Sequence, residues 1–182
     1  NIILPNSLRV IGNQAFDGAG LSHIDIPEGV VEIGAWAFRG NDFETIHFPS
    51  TLELLGENVI GGCEKLKSIT GKFATSDSKG LLVDGKMIAI ASCGLTDYVF
   101  PSDVHTIGED ILRGNKTIES IRIPEGVRMI ENGAFLSCDN LRYIEIPSSI
   151  ESFGYRALTH CDKLEHIRGA YATDDGRCLI KD

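Results

Sequence analysis

A seven-residue pattern recurs along this chain and restricts its fold more than any other feature: an apolar residue, two variable residues, apolar, variable, apolar, proline. It reads Leu21-Ser22-His23-Ile24-Asp25-Ile26-Pro27 and returns as Phe43 to Pro49, Leu95 to Pro101, Ile118 to Pro124 and Leu141 to Pro147. The leading positions Leu21, Phe43, Leu66, Leu95, Ile118, Leu141 and Leu164 stand 22, 23, 29, 23, 23 and 23 residues apart. One such unit is too small to bury its own apolar face. Units of fixed length become stable only when stacked, so the period specifies a solenoid of short parallel strands. A return path of about a dozen residues is what parallel pairing of successive strands needs.

After each proline comes a second half-motif, clearest in Leu8-x-x-Ile11-Gly12-x-x-Ala15-Phe16 and Val30-x-x-Ile33-Gly34-x-x-Ala37-Phe38. It predicts turns, short strands or single helical turns on the opposite face, with small and large residues interlocking between rungs. Three residues past the Phe-type position stand Ala19, Asn41, Cys63, Asn115, Cys138 and Cys161. Small polar side chains in such a column can satisfy buried backbone groups. The oversized rung, about residues 69–94, contains Asp84-Gly85 between apolar runs, which predicts a β-hairpin because a two-residue turn needs positive φ. Its sequence ITGKFATSDSKGLLVD is matched by IRGAYATDDGRCLIKD from Ile167, 98 residues later. The expected organisation is one solenoid over 1–182 of seven to eight rungs, with a second hairpin rung that begins at about 167 and is cut off, and therefore a piece of a longer array.

These motifs resemble the BspA-like leucine-rich repeats, in which an Ile-x-Ile-Pro strand leads into Val-x-x-Ile-Gly-x-x-Ala-Phe-x-x-Cys. The resemblance covers essentially the whole chain. It implies a curved leucine-rich-repeat solenoid and an extracellular or cell-surface location, where some members are adhesins for host matrix proteins. The family has no fixed binding motif, so it assigns no site residue here.

Charge narrows the partners. Seventeen Lys and Arg against 26 Asp and Glu give a net charge of −9, and no basic cluster is present to neutralise phosphates, so nucleic acid is not an expected partner. No apolar run approaches the length of a membrane span, so direct insertion by this segment is not expected. The five cysteines are odd in number and form no Cys-x-x-Cys pair; Cys63, Cys138 and Cys161 are expected as buried free thiols. No cofactor or metal is expected.

Several constellations offer chemistry and have a plainer reading. His160-Cys161-Asp162 suggests a nucleophile, but Cys161 belongs to the interior column, where a thiol is inert. His23, His47 and His166 occupy variable strand positions and read as solvated surface residues. Thr75-Ser76-Asp77-Ser78 lacks the spaced carboxylates of a calcium loop and reads as a turn. Asn115-Lys116-Thr117 is a glycosylation sequon whose Asn lies in the interior column. Trp36, in a column held elsewhere by Gln14, Asn58, Asp110, Gly133 and Arg156, either marks a contact surface or covers a neighbouring rung.

Strand side chains alternate between faces. With Leu21, Ile24 and Ile26 inward, two outward columns follow: His23, Thr45, Ser68, Asp97, Ser120, Tyr143, His166, and Ile3, Asp25, His47, Thr70, Val99, Arg122, Glu145, Arg168. Tyr143 flanked by Arg122, Glu145 and Arg168 has the composition of an interface anchor. The same residues also fit a charge ladder that keeps the face soluble. The expected function is a non-enzymatic binding or adhesion scaffold for a protein or glycan ligand, for which the resemblance implies a host matrix or cell-surface protein. The rival reading is a structural spacer within a larger surface protein.

Overall fold

The structure, a computed structural model, describes residues 2–169. Cys178 and most of the expected second hairpin rung lie outside the described residues. The chain forms two compact units, Asn1–Asp84 with Ile88–Cys93, and Gly85–Met87 with Gly94–Asp182. The described residues contain strands and turns but no helix.

In the first unit the half-motif after proline forms β1 (Val10–Ile11) and β2 (Glu32–Ile33), and the Ile-x-Ile pattern forms β3 (Thr45–Phe48). β4 (Leu54–Leu55), β5 (Ser68–Gly71) and β6 (Gly80–Val83) follow. β1, β2 and β4 pair in parallel, as do β3 and β5, with Thr45 opposite Ser68 and His47 opposite Thr70. Two Ile-x-Ile stretches, Ile2–Leu4 and Ile24–Ile26, are extended without strand pairing, although Ile24 and Ile26 still point into the core. The core is mainly Ile, Leu and Val with an aromatic cluster inside it: Phe16 stacks on Phe38 with ring centroids 5.7 Å apart, and Phe43 meets Phe38 edge-on at 6.1 Å.

Asp84 and Gly85, both at positive φ, connect β6 to β7 (Lys86–Ile90). Within the first unit Ala74 bridges Leu81 in antiparallel fashion. The Thr75–Ser78 segment closes on itself there. Thr75 Oγ1 accepts from Gly80 N at 2.8 Å and donates to Asp77, whose Oδ1 also accepts from Lys79 N at 2.9 Å. Those oxygens serve the turn.

The second unit repeats both ladders. β8 (Asp97–Val99), β10 (Ser120–Arg122), β12 (Tyr143–Ile146) and β14 (His166–Gly169) form a four-stranded parallel sheet. β9 (Thr106–Ile107), β11 (Met129–Ile130) and β13 (Ser152–Phe153) form the second ladder, which the start of β7 joins through Lys86 and Met87. Ile121, Ile144 and Ile167 stand in register as a buried column. Phe100 and Phe135 pack beneath them with centroids 6.3 Å apart.

The Asn/Cys column performs the task its composition suggests. Asn41, 2% exposed, donates through Nδ2 to the carbonyls of Phe16 at 2.7 Å and Phe38 at 2.8 Å. Cys63 Sγ donates to Phe38 O at 3.3 Å, Cys138 to Leu112 O at 3.3 Å and Cys161 to Phe135 O at 3.2 Å. Each side chain therefore caps the carbonyl of the Phe-type residue one rung earlier. The three cysteines are buried and free, and burial pushes the Cys63 thiol pKa up. Asn115 differs: it is half-buried, and its Oδ1 accepts from Thr117 N and Ile118 N within its own loop.

Candidate binding face

The sheet of the second unit places the expected outward residues side by side. Ser120 stands opposite Tyr143 and Tyr143 opposite His166; in the next column Val99, Arg122, Glu145 and Arg168 are in continuous register. All alternate with buried residues, as a strand with one wet face must. Tyr143 is half-buried. Its hydroxyl donates to Glu145 Oε2 at 3.1 Å, and the Arg122 guanidinium lies over its ring, 6.0 Å from the centroid. Arg122 Nε is 3.8 Å from the same Glu145 oxygen. Arg168 is exposed, and among the described residues no carboxylate lies within ion-pair distance of it.

Beside these columns runs a groove of about 380 Å³. Ile123, Pro124, Ile146 and Pro147 supply its apolar lining, and Val99, Arg122, Glu125, Glu145, Ser148 and Gly169 complete its walls. Gly169 sits at a φ of 112°, and a side chain there would strike the Ile146 carbonyl of the neighbouring strand. Glu125 is fixed across one rung: Ser148 donates to its carboxylate through N at 3.1 Å and Oγ at 3.2 Å. The Ser148 amide holds the Glu125 pKa below its ordinary value.

The remaining candidates stand apart from this cluster. His23 and His47 belong to the first unit, where His23 Nε2 is 3.1 Å from Asp25 and His47 Nδ1 is 3.0 Å from Thr70 Oγ1. Among the described residues, no group of three or more His, Cys, Asp or Glu could hold a metal ion. Trp36 is 40% exposed, also in the first unit. Its φ is 56°, and Gln14, Asn58, Asp110, Gly133 and Arg156 share that left-handed conformation. The turn requires it, which explains the Asn, Asp and Gly found there. That composition was the available sign; read for polarity alone, it gave only solvent exposure. The groove left no sequence signal of its own; Gly169, like Gly71, stands where other rungs carry Ile or Phe.

Comparison with known proteins places the fold. A leucine-rich cell surface protein from Faecalibacterium prausnitzii superposes with a TM-score of 0.68 at 18% identity, covering 98% of this chain and 62% of that one. A leucine-rich repeat protein from Eubacterium ventriosum gives 0.71 at 23% identity, with 87% and 44% covered. The pneumococcal vaccine antigen PcpA gives 0.70 at 19% identity, with 92% and 50% covered. The chain thus spans between about two fifths and three fifths of those structures. No curated protein matches it significantly. The model of the BspA-type leucine-rich repeat region matches in six copies over residues 1–77 and 86–171. The chain belongs to the BspA-type leucine-rich repeat family.

Proposed function

We propose that this chain is a non-catalytic binding scaffold displayed at a cell surface, holding a protein or glycan ligand against the sheet of its second unit. The observation that carries this reading is the Arg122–Tyr143–Glu145 cluster: an aromatic ring and an Arg, the residue types that dominate interface energetics, locked together on a rigid face beside an open groove. Surface display is supported by the description of the Faecalibacterium prausnitzii protein as a cell surface protein. The spacer reading has its own support in the cross-rung ion pairs Lys65–Asp42, Lys67–Glu44 and Arg142–Glu165, which solvate the outside without shaping a site.

An array of matrix proteins and glycans probed with the chain separates the two. The binding reading expects at least one saturable ligand whose affinity falls about tenfold or more in a Tyr143→Ala, Arg122→Ala double variant. The melting temperature should hardly move, because exposed cross-strand pairs contribute only about 0.2–1 kcal/mol each. Retention of no ligand, or unchanged affinity in the variant, favours the spacer.

A further inference from the structure

We propose that the ligand group taken by this face is the carboxylate of an acidic, partly apolar peptide segment, bound by Arg168 with its neighbouring apolar side chain in the groove. The inference rests on the binding reading above and specifies its chemistry. Its starting point is a charge anomaly in a chain of net charge −9. Along the column Val99, Arg122, Glu145, Arg168, the single carboxylate is already engaged: Glu145 Oε2 takes the Tyr143 hydroxyl and faces Arg122. The Arg122 contact lies on the β10 side of Glu145, opposite to β14 and Arg168, and the Tyr143 hydroxyl, on β12 itself, holds the same oxygen there. Among the described residues no carboxylate takes up the Arg168 guanidinium, whose planar fork of donors has the geometry that pairs bidentately with a carboxylate.

Two further features select peptide over sugar. An exposed aromatic ring could act as a platform for a sugar, but one face of Tyr143 lies beneath the Arg122 guanidinium. Ile146, Pro147 and Gly169, the last of them next to Arg168 in the chain, are among the residues lining the groove and offer apolar surface to an aliphatic side chain. Its two carboxylates, Glu125 and Glu145, would repel an acid placed inside the recess, and they offer acceptors to peptide N–H groups instead. The acid therefore sits at Arg168 and the apolar side chain in the groove. The chain's overall negative charge does not forbid this, because at physiological ionic strength fields are screened beyond about 8 Å.

The test is an NMR titration of the isotope-labelled chain with acetyl-Leu-Glu-Leu-Glu amide and its Gln counterpart. The Glu peptide should shift the Arg168 Nε–H and the Gly169 amide saturably, and the Gln peptide should bind about tenfold more weakly. Arg168→Gln should lose the same factor, whereas Arg113→Gln, which breaks only the exposed Arg113–Asp110 pair, should not. Raising salt should weaken the Glu peptide alone. Equal binding of the two peptides, an unaffected Arg168→Gln, or tighter binding of glucuronate or N-acetylneuraminate at the same resonances would overturn the proposal. The binding reading survives such a failure if the array yields a ligand that depends on Tyr143 and Arg122; it fails separately if the array yields none.

Discussion

Replacing Asn41 by alanine tests the interior ladder most directly, because its side chain makes four hydrogen bonds, the longest, to Arg39 O, at 3.2 Å. Nδ2 donates to Phe16 O at 2.7 Å and Phe38 O at 2.8 Å, and Oδ1 accepts from Leu21 N at 2.8 Å. The two carbonyls retain other donors, Ala19 N at 3.3 Å and Cys63 Sγ at 3.3 Å, so each loss is worth about 0.5–1.5 kcal/mol. Leu21 N keeps no other acceptor among the described residues, and an unsatisfied amide costs about 1–3 kcal/mol. Leu21 is half-buried, so water recovers part of that, and the expected total is about 3 kcal/mol. Asn41→Cys should cost about 1 kcal/mol less, since a thiol can cap Phe16 O as Cys63 caps Phe38 O but cannot reach Leu21 N. Urea unfolding followed by Trp36 fluorescence reports the same rung, and hydrogen exchange at the Leu21 amide reports the orphaned donor. A loss below about 1 kcal/mol for alanine, an equal cost for cysteine, or unchanged exchange at Leu21 would refute the capping argument.

Three other outcomes are expected. Gly56→Ala should be severely destabilising because its Cβ would run into the backbone of Gly34 and Ala35, whereas Gly12→Ala meets nothing within 4 Å and should be tolerated; comparing their thermal midpoints checks this. The Glu28 and Glu125 carboxylates are held below their ordinary pKa of 4.5, chiefly by the Ser50 and Ser148 backbone amides. A depressed folded pKa gives stability that is complete above the unfolded value and lost as pH falls through the folded one. A Glu28→Gln, Glu125→Gln double variant should therefore show a flatter stability profile below about pH 4.5 in acid titration. Thiol labelling mapped by mass spectrometry should modify half-exposed Cys93 well before buried Cys63, Cys138 and Cys161 in the native protein; rapid native labelling of those three would contradict the column assignment.

Inward positions were legible in the sequence because the same packing problem is solved once per rung. Ile121, Ile144 and Ile167 each fill the place that Ile46 and Ile69 fill in the first unit, so a single alternation read at Ile24 and Ile26 predicts burial along the inward column and exposure of the columns beside it. The interior Asn/Cys column was legible for the same reason as satisfying backbone groups, although Asn115 is half-buried and serves its own loop. Pairing at the first rungs was not. Ile24 and Ile26 keep the alternating pattern without strand pairing, and a side-chain pattern carries no information about whether neighbouring backbones come within hydrogen-bonding distance. The left-handed turn at Trp36 was hidden differently. Conformational demand shows only as a preference for Asn, Asp and Gly, and Gln14, Trp36 and Arg156 dilute it.

Outward positions obey a different logic, and this limits how far the site could be read. Register alone brings Arg122, Glu145 and Arg168 together, and from that standpoint Glu145 could pair with either arginine. The choice is made by Tyr143, two residues earlier on the same strand and face. Its hydroxyl holds Glu145 Oε2 at 3.1 Å, and its ring carries Arg122 above it, so the aromatic residue fixes both members of one pair and leaves the other arginine without a carboxylate partner among the described residues. A symmetrical ladder of alternating charges would have been satisfied from within and inert toward acids. Breaking that symmetry with one tyrosine turns a solubilising ladder into a face with an unspent guanidinium beside an apolar recess. The consequence can be tested without any ligand: in Tyr143→Phe the constraint on Glu145 is relaxed, the carboxylate is free to swing toward Arg168, and the Arg168 Nε–H resonance should move toward that of an ion-paired guanidinium. An unmoved resonance would mean that the tyrosine hydroxyl does not decide the pairing.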